Sequence, residues 1–273
     1  MHKFVSFNRR LISAENSRLS AVSSAALYGK GVFTTIAIYN REPFQWGKHR
    51  RRLAAAAEKT GINLSALPEH IIETALTEII AGNNVASGRA RITVFDESAG
   101  RIWRAKPKYE MSFSIQTADF RQISNDLQLT VSPFPTNSKS PLSGVKSCNY
   151  LENILALENA EAAGFDEAIR LNERGEIVSA ATANVFWTKN GEIFTPSLKT
   201  GCLAGTTRSL IAENFPVVET KARLNEIIEA DEVFLTSAGI GIVKVESIDS
   251  KGFSAASPKI NELKLFFRCL TQK

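Results

Sequence analysis

The sequence predicts an α+β chain of two domains, on three observations. Runs that read as strands are interleaved with helix-period runs along the whole length. A polar stretch, ADFRQISND, interrupts that order at 118–126, and 273 residues with 44% hydrophobic content suffice for one large or two small cores. The expected division is a small N-terminal α+β domain over 1–118, a connection over 119–126 and a larger C-terminal domain over 127–273.

In the first part, VFTTIAIY at 32–39 is rich in β-branched and aromatic residues and is expected as a strand. Tyr28, Gly29 and Gly31 ahead of it form a turn that lets the backbone approach another group closely. Asn40-Arg41-Glu42 turns the chain into 43–46, and 48–59, alanine-rich in its second half, is a helix. His49 and Arg52 are three apart near its first turn and so share a face. A second helix at 68–81 has Pro at its start and Gly82 past its end. Strands at 90–95 and 109–117 flank a segment bearing arginines and lysines.

The second part begins with a strand at 127–132, followed by PFPTNSKSPLSG, too rich in Pro and Ser for regular structure and a candidate lid. Next comes GVKSCNYLENILALENAEAAG, whose spacing predicts a helix capped by Asn149. Leu151, Ile154, Leu155 and Ala162 form its apolar stripe, and Gly164 supplies a left-handed cap. Lys146 stands just ahead of that helix. An amine fixed there and partly desolvated loses ammonium character, which suits Schiff-base chemistry.

Beyond it, 168–171 and 176–188 pair as a hairpin about 172–175, and Asn190-Gly191 is a second hairpin turn. GCLAGTTR at 201–208 opens a helix running to Asn214. Thr206 and Thr207 put free N–H groups and two hydroxyls at its start, an anion site; Thr206 as a simple N-cap is the alternative. A strand at 217–220, a helix at 225–229, strands at 233–237 and 242–248 and a helix from Pro258 complete the order.

Composition narrows the function. No apolar run is long enough to span a bilayer and MHKFVSFNRRLISAENS lacks a signal-peptide core, so a cytoplasmic protein without a membrane partner is expected. Cys148, Cys202 and Cys269 are odd in number and widely spaced, as reduced thiols are, and His2, His49 and His70 form no pair at metal-ligand spacing. The net charge of +5 gathers at Lys48 and Arg50 to Arg52 without any nucleic-acid-binding pattern, which points to a small anionic molecule rather than nucleic acid.

A lysine ahead of a helix, an arginine on an early helix and a Gly-Thr-Thr helix start together suit a phosphate-bearing aldehyde. Here the sequence resembles the fold-type IV pyridoxal-phosphate enzymes, the class IV aminotransferase and 4-amino-4-deoxychorismate lyase family. Tyr28-Gly-Lys-Gly-Val-Phe33 is similar to its YGDGVF and His49-Arg-Arg-Arg52-Leu53 to its H-x-x-R-L. Lys146-Ser-Cys-Asn149-Tyr150-Leu151 is similar to its K-x-x-N-Y-L, Ala183-Asn184-Val185-Phe186 to its (A/E)-N-(L/I)-F, and Gly205-Thr-Thr-Arg208 to its G-(I/T)-T-R. The resemblance implies a small N-terminal α/β domain, a larger barrel-like C-terminal domain with helices, a homodimer and pyridoxal 5'-phosphate as cofactor. It implies a Schiff base on Lys146, a phosphate clamp from Arg52 aided by Thr206, Thr207 and the turn at Ser237-Ala238, and a hydrogen bond from Tyr150 to the ring's phenolic oxygen. Tyr28 and Thr34 fall in the substrate pocket.

Departures from the family pattern bear on the reaction. Ser179 stands where the family usually places the glutamate that keeps the cofactor's pyridine nitrogen protonated. Glu176, three residues earlier in an expected strand, would face the other way. A serine leaves a weaker electron sink, which handicaps transamination more than elimination. Thr34-Thr35 replaces the Glu-Thr usual in the aminotransferases, and Asp96 stands where an arginine is common. The expected function is therefore a lyase that releases pyruvate from 4-amino-4-deoxychorismate and leaves 4-aminobenzoate. An aminotransferase on branched-chain or D-amino acids is the alternative, and a degenerate cofactor-binding homologue the second alternative.

Overall fold

The structure, a computed structural model, describes residues 1–100, 102, 108–123, 126–254 and 258–272. It divides into two compact units, Met1–Arg121 with Val145–Asn149, and Gln122–Gly144 with Tyr150–Lys273. The Lys146 segment thus belongs to the first unit, whereas the sequence expectation set it in the second domain over 127–273. Of the expected connection over 119–126 and the basic segment before 109, residues 124–125, 101 and 103–107 lie outside the described residues. No helix among the described residues is long and apolar enough to cross a membrane.

The first unit contains β1 (Phe4–Phe7), β2 (Arg10–Ser13), α1 (Ser24–Tyr28), β3 (Gly31–Tyr39), β4 (Glu42–Pro43), α2 (Trp46–Lys59), α3 (Glu69–Gly82), β5 (Gly88–Asp96) and β6 (Met111–Ala118). Its six strands form one antiparallel sheet in the order β2-β1-β6-β5-β3-β4. The hairpin β1–β2, without a strong turn signal in the sequence, adds two strands that the sequence reading lacked. Along β3 the period of two sends Val32, Ile36 and Ile38 into a core shared with Leu53 and Ala57 of α2 and Ile72, Leu76 and Ile79 of α3. Thr34 has the same parity, so its hydroxyl is carried into that buried layer at 0% exposure and needs a partner there.

The Lys146 segment is held to β3 by backbone bonds. Phe33 N donates to Lys146 O at 2.9 Å, Cys148 N donates to Gly31 O at 2.8 Å, and Val32 and Ser147 form an isolated bridge. Three residues thereby act as a short extra edge strand, which explains their place in the first unit.

The second unit contains β7 (Leu127–Val131), α4 (Leu151–Ala162), β8 (Glu167–Leu171), β9 (Ile177–Ala180), β10 (Asn184–Lys189), β11 (Glu192–Pro196), α5 (Thr206–Asn214), β12 (Val217–Thr220), α6 (Leu224–Ile228), β13 (Glu232–Ser237), β14 (Gly241–Ile248), β15 (Lys251–Gly252) and α7 (Pro258–Thr271). The strands form one mixed sheet in the order β12-β11-β10-β13-β14-β7-β8-β9, with β15 on β14. The end strand β9 leads directly into β10, the third strand from the opposite end, and Ala180 N donates to Ala183 O at 2.9 Å across that link. A sheet so connected has to curl, as the barrel-like expectation requires.

Two local expectations are corrected. The helix after Lys146 starts at Leu151 with Tyr150 as its N-cap, and Asn149 instead donates from Nδ2 to Gly29 O at 3.1 Å. Gly29 has φ +62°, and a Cβ there would come within 2.8 Å of the Asn149 amide, so the two residues lock the turn ahead of β3. The expected apolar stripe also does not face the core. Ala156 and Ala160 do, while Leu151, Ile154, Leu155 and Ala162 are exposed. Close approach to β7 and β8 selects the small residues, and the larger ones are left outside. The run 176–188 is not one strand either, because it breaks at Ala181–Ala183. Glu167 causes the break, since its buried carboxylate accepts from Ala181 N at 3.0 Å, Thr182 N at 3.0 Å and Thr182 Oγ1 at 2.5 Å.

Candidate active site

In the first unit, Thr34, His49 and Arg52 form one connected group. Arg52 Nη2 donates to Thr34 Oγ1 at 2.7 Å, and Thr34 Oγ1 lies 2.8 Å from His49 Nδ1. Burial pushes His49 down to about 3, aided by the charges of Arg52 and Lys146, so the ring is neutral. A neutral ring that accepts at Nδ1 lets the Thr34 hydroxyl donate to it while accepting from Arg52. One hydroxyl thus orients the guanidinium, and the shared face expected for His49 and Arg52 has Thr34 as its common partner.

Lys146 stands beside this group. Its Nζ lies 4.7 Å from the centroid of Phe33, a ring over which the Arg91 guanidinium also lies, at 3.6 Å. Burial of the amine, followed by the charges of Arg52 and Arg91, lowers Lys146 to about 7 although the residue as a whole keeps some exposure. At neutral pH a large fraction of it is a free amine, the nucleophilic form. Arg91 has no distinctive sequence signal, since it shares the run RARITVF with a second arginine, Arg89, and with Thr93. Tyr28 ends α1 and is exposed, at 37%.

Lys30 and Asp96 resolve two departures at once. Lys30 stands at the aspartate of YGDGVF, Asp96 where an arginine is common, and the two side chains meet at 2.7 Å. Burial raises the Asp96 carboxyl, but hydrogen bonds from Lys30 and Ser98 outweigh it and hold the group below the usual carboxylate range. The two unusual residues are partners in a single ion pair.

The second unit carries the other expected residues. Thr206 and Thr207 are buried at the first turn of α5, whose N-cap is Gly205. Asn184 donates from Nδ2 to Leu203 O at 2.9 Å, and its Oδ1 sits where a Cβ on residue 205 would have to be. The Ala-Asn-Val-Phe and Gly-Thr-Thr-Arg motifs are therefore in contact. Arg208, in the second motif, is buried and bonded to Pro196 O at 3.1 Å and Glu219 Oε1 at 2.9 Å, a structural role. Ser237 ends β13, Ala238 lies in the turn after it, and Gly239 N donates to Ser237 Oγ at 3.3 Å. Next to them Thr236 Oγ1 is buried without a hydrogen-bond partner among the described residues.

Tyr150 donates from its hydroxyl to Ala181 O at 3.3 Å. Ser179 is half-buried in β9 and pairs in register with Arg170 of β8. Glu176 lies outside β9, in the turn, accepting from Asn172 at 2.8 Å and Arg174 at 2.7 Å. Arg170, the fourth residue of the strand EAIRL, likewise has no distinctive sequence signal.

Residues 31–248 match the family model described as amino-transferase class IV. A putative branched-chain-amino-acid aminotransferase of Methanocaldococcus jannaschii is 29% identical over 255 residues, covering 89% of this chain and 87% of that protein. An aminodeoxychorismate lyase of Bacillus subtilis is 28% identical over 267 residues, covering 92% and 88%. Among solved structures, a putative 4-amino-4-deoxychorismate lyase of Legionella pneumophila superposes with a TM-score of 0.87 at 26% identity, covering 94% of this chain and 97% of that one. The chain accordingly belongs to the class IV aminotransferase family, the fold-type IV enzymes that depend on pyridoxal phosphate.

Proposed function

We propose that this chain is an aminodeoxychorismate lyase with pyridoxal phosphate held on Lys146. The observation that favours elimination over transamination is the lack of a free carboxylate at Ser179. Its cross-strand partner is Arg170, Glu176 is committed to Asn172 and Arg174, and Glu167 to the bend at Ala181–Ala183.

The donor set suits a phosphate-bearing aldehyde. Lys146 supplies an amine lowered to about 7, and Arg52 a guanidinium already oriented by Thr34. The start of α5 supplies N–H groups beside Thr206 and Thr207, and Thr236 a buried hydroxyl still to be satisfied. When bound, the cofactor supplies an electron sink for a bond next to the substrate's amino group. Lys146 would hold the cofactor by its aldehyde, and its amine, lowered to about 7, is basic enough near neutrality to accept the proton lost from the substrate ring. Arg52 would hold the phosphate, with Thr206, Thr207 and the turn at Ser237-Ala238 as the further donors that the family resemblance implies. Tyr150, whose hydroxyl donates to Ala181 O, would turn that donor to the phenolic oxygen, and Tyr28 and Thr34 would belong to the substrate side, Thr34 through its hold on Arg52.

In the overall conversion the electrons of the lost C–H bond complete the aromatic ring while the C–O bond to the enolpyruvyl group breaks. The departing enolate takes a proton and becomes pyruvate, so no oxidant or reductant is required. Purified protein reconstituted with cofactor is expected to release pyruvate from 4-amino-4-deoxychorismate, and to convert slowly or not at all to the pyridoxamine form with leucine, glutamate or D-alanine. Rapid conversion with any of these and no pyruvate would establish the aminotransferase reading instead.

A further inference from the structure

Arg170 is a buried cation with little to balance it. It is 2% exposed; its Nη1 donates to Glu152 O at 3.1 Å, and the nearest carboxylate oxygen, Glu152 Oε2, lies 3.8 Å away on a side chain that is 77% exposed. Its Nε has no hydrogen-bond partner among the described residues. The other groups acting on it are Tyr150, ahead of α4, and Glu167, three residues earlier on β8, whose carboxylate is already bonded to four donors. Its acids are thus one exposed side chain at the far end of the guanidinium and one carboxylate committed to the bend at Ala181–Ala183. On its own sheet face Arg170 also lies beside Ser179, because residues in register on antiparallel strands put their side chains on one face, with Cβ atoms roughly 5 Å apart.

We infer that Ser179, backed by the buried charge of Arg170, seats the ring-nitrogen end of the cofactor and that this charge keeps the nitrogen unprotonated. The inference rests on the proposed function for the placement of the ring at Ser179 and goes beyond it, since it adds a positive cause to the missing acid. A serine alone is neutral toward protonation of a pyridine. A guanidinium roughly 6 Å from that nitrogen would, at an effective dielectric of about 20, disfavour the pyridinium form by up to about a hundredfold. Arginine stays charged at every pH at which the protein is folded, so the bias does not titrate away. The Ser179 hydroxyl can donate to a neutral pyridine nitrogen, while the buried guanidinium behind it acts through its charge.

The test uses the full chain reconstituted with pyridoxal phosphate labelled with nitrogen-15 in the ring, whose chemical shift reports protonation directly. An unprotonated nitrogen is expected from pH 6 to 9. Arg170→Lys should keep it so, because charge is what acts, and the double variant Arg170→Met with Ser179→Glu should protonate it. A second probe, N-methylpyridoxal phosphate, carries a fixed positive charge at that atom and should bind the unmodified chain about a hundredfold more weakly than pyridoxal phosphate. A protonated ring in the unmodified chain, or equal binding of the two probes, overturns the inference and leaves the lyase proposal to its own assay. A chain that takes up no labelled cofactor on Lys146, judged by borohydride reduction and peptide mapping, overturns both.

Discussion

Lys30 and Lys146 are both tied by their backbones to the neighbourhood of β3, Lys30 O accepting from Asp96 N and Lys146 O from Phe33 N. Their amines meet opposite surroundings. Lys30 has the Asp96 carboxylate at 2.7 Å, whereas the charges acting on Lys146 are those of Arg52 and Arg91. An amine given an acid becomes a strut. An amine set among cations is pushed toward its uncharged, reactive form, and the fold bears the cost.

That cost is the sharpest way to break the comparison. Lys146 is lowered from 10.5 to about 7, so between those values the unfolded chain carries a proton that the folded chain does not. Stability from this group therefore rises with pH through that window, and the penalty is complete below it. Lys146→Met is expected to stabilise the cofactor-free protein by up to about 4 kcal/mol at pH 7, an upper bound because Lys146 keeps some exposure, and by almost nothing near pH 10.5. Urea unfolding at pH 6.5 and 9.5 measures this; an advantage that is equal at both values would mean that the amine is not strained.

The strut should behave in the opposite manner. Lys30→Asp sets two carboxylates against each other, one of them buried, and is expected to cost roughly 2–3 kcal/mol. Adding Asp96→Lys restores opposite charges and should recover at least half of that loss in a double-mutant cycle. No recovery would show that the pair's geometry, and not its charge, is what matters.

The smallest contrast lies within the basic cluster of α2. Arg52→Ala should lower cofactor affinity about thirtyfold, about 2 kcal/mol, by removing the guanidinium that Thr34 orients and that we propose as the phosphate clamp. Exposed Arg51→Ala should leave affinity unchanged. Arg50 is not the solvated charge that its neighbours suggest, since it pairs with Glu69 at 3.0 Å. Its replacement should cost at most about 0.5 kcal/mol of stability, with affinity intact. Equal affinity losses at Arg51 and Arg52 would put the helix in a different register.

The order of strands and helices was legible wherever a period of two or 3.6 ran uninterrupted, as in β3, α2 and β13. It failed where a distant side chain overrode the pattern. Nothing in 176–188 announces the bend at Ala181–Ala183, because the group that makes it, the Glu167 carboxylate, is in another strand. The stripe on α4 was misjudged for a related reason, since pattern alone does not tell whether small or large residues meet the sheet. Of the site, Lys146, Arg52 and the Gly-Thr-Thr turn were visible as motifs. Arg91 and Arg170 were not, because a cation within a strand has no local signature and gains meaning only from its neighbours across the sheet. Asp96 showed as a departure without a reason, which its contact with Lys30, 66 positions away, supplies.

The contact between Asn184 and Gly205 works in the same direction. Two motifs that a reader of sequences counts separately are one joint, in which the amide of the first occupies the only space that a side chain on the second could use. A side chain can therefore enter at residue 205 only if Asn184 is replaced or moved, whereas a smaller residue at 184 leaves Gly205 room and costs only the bond to Leu203 O.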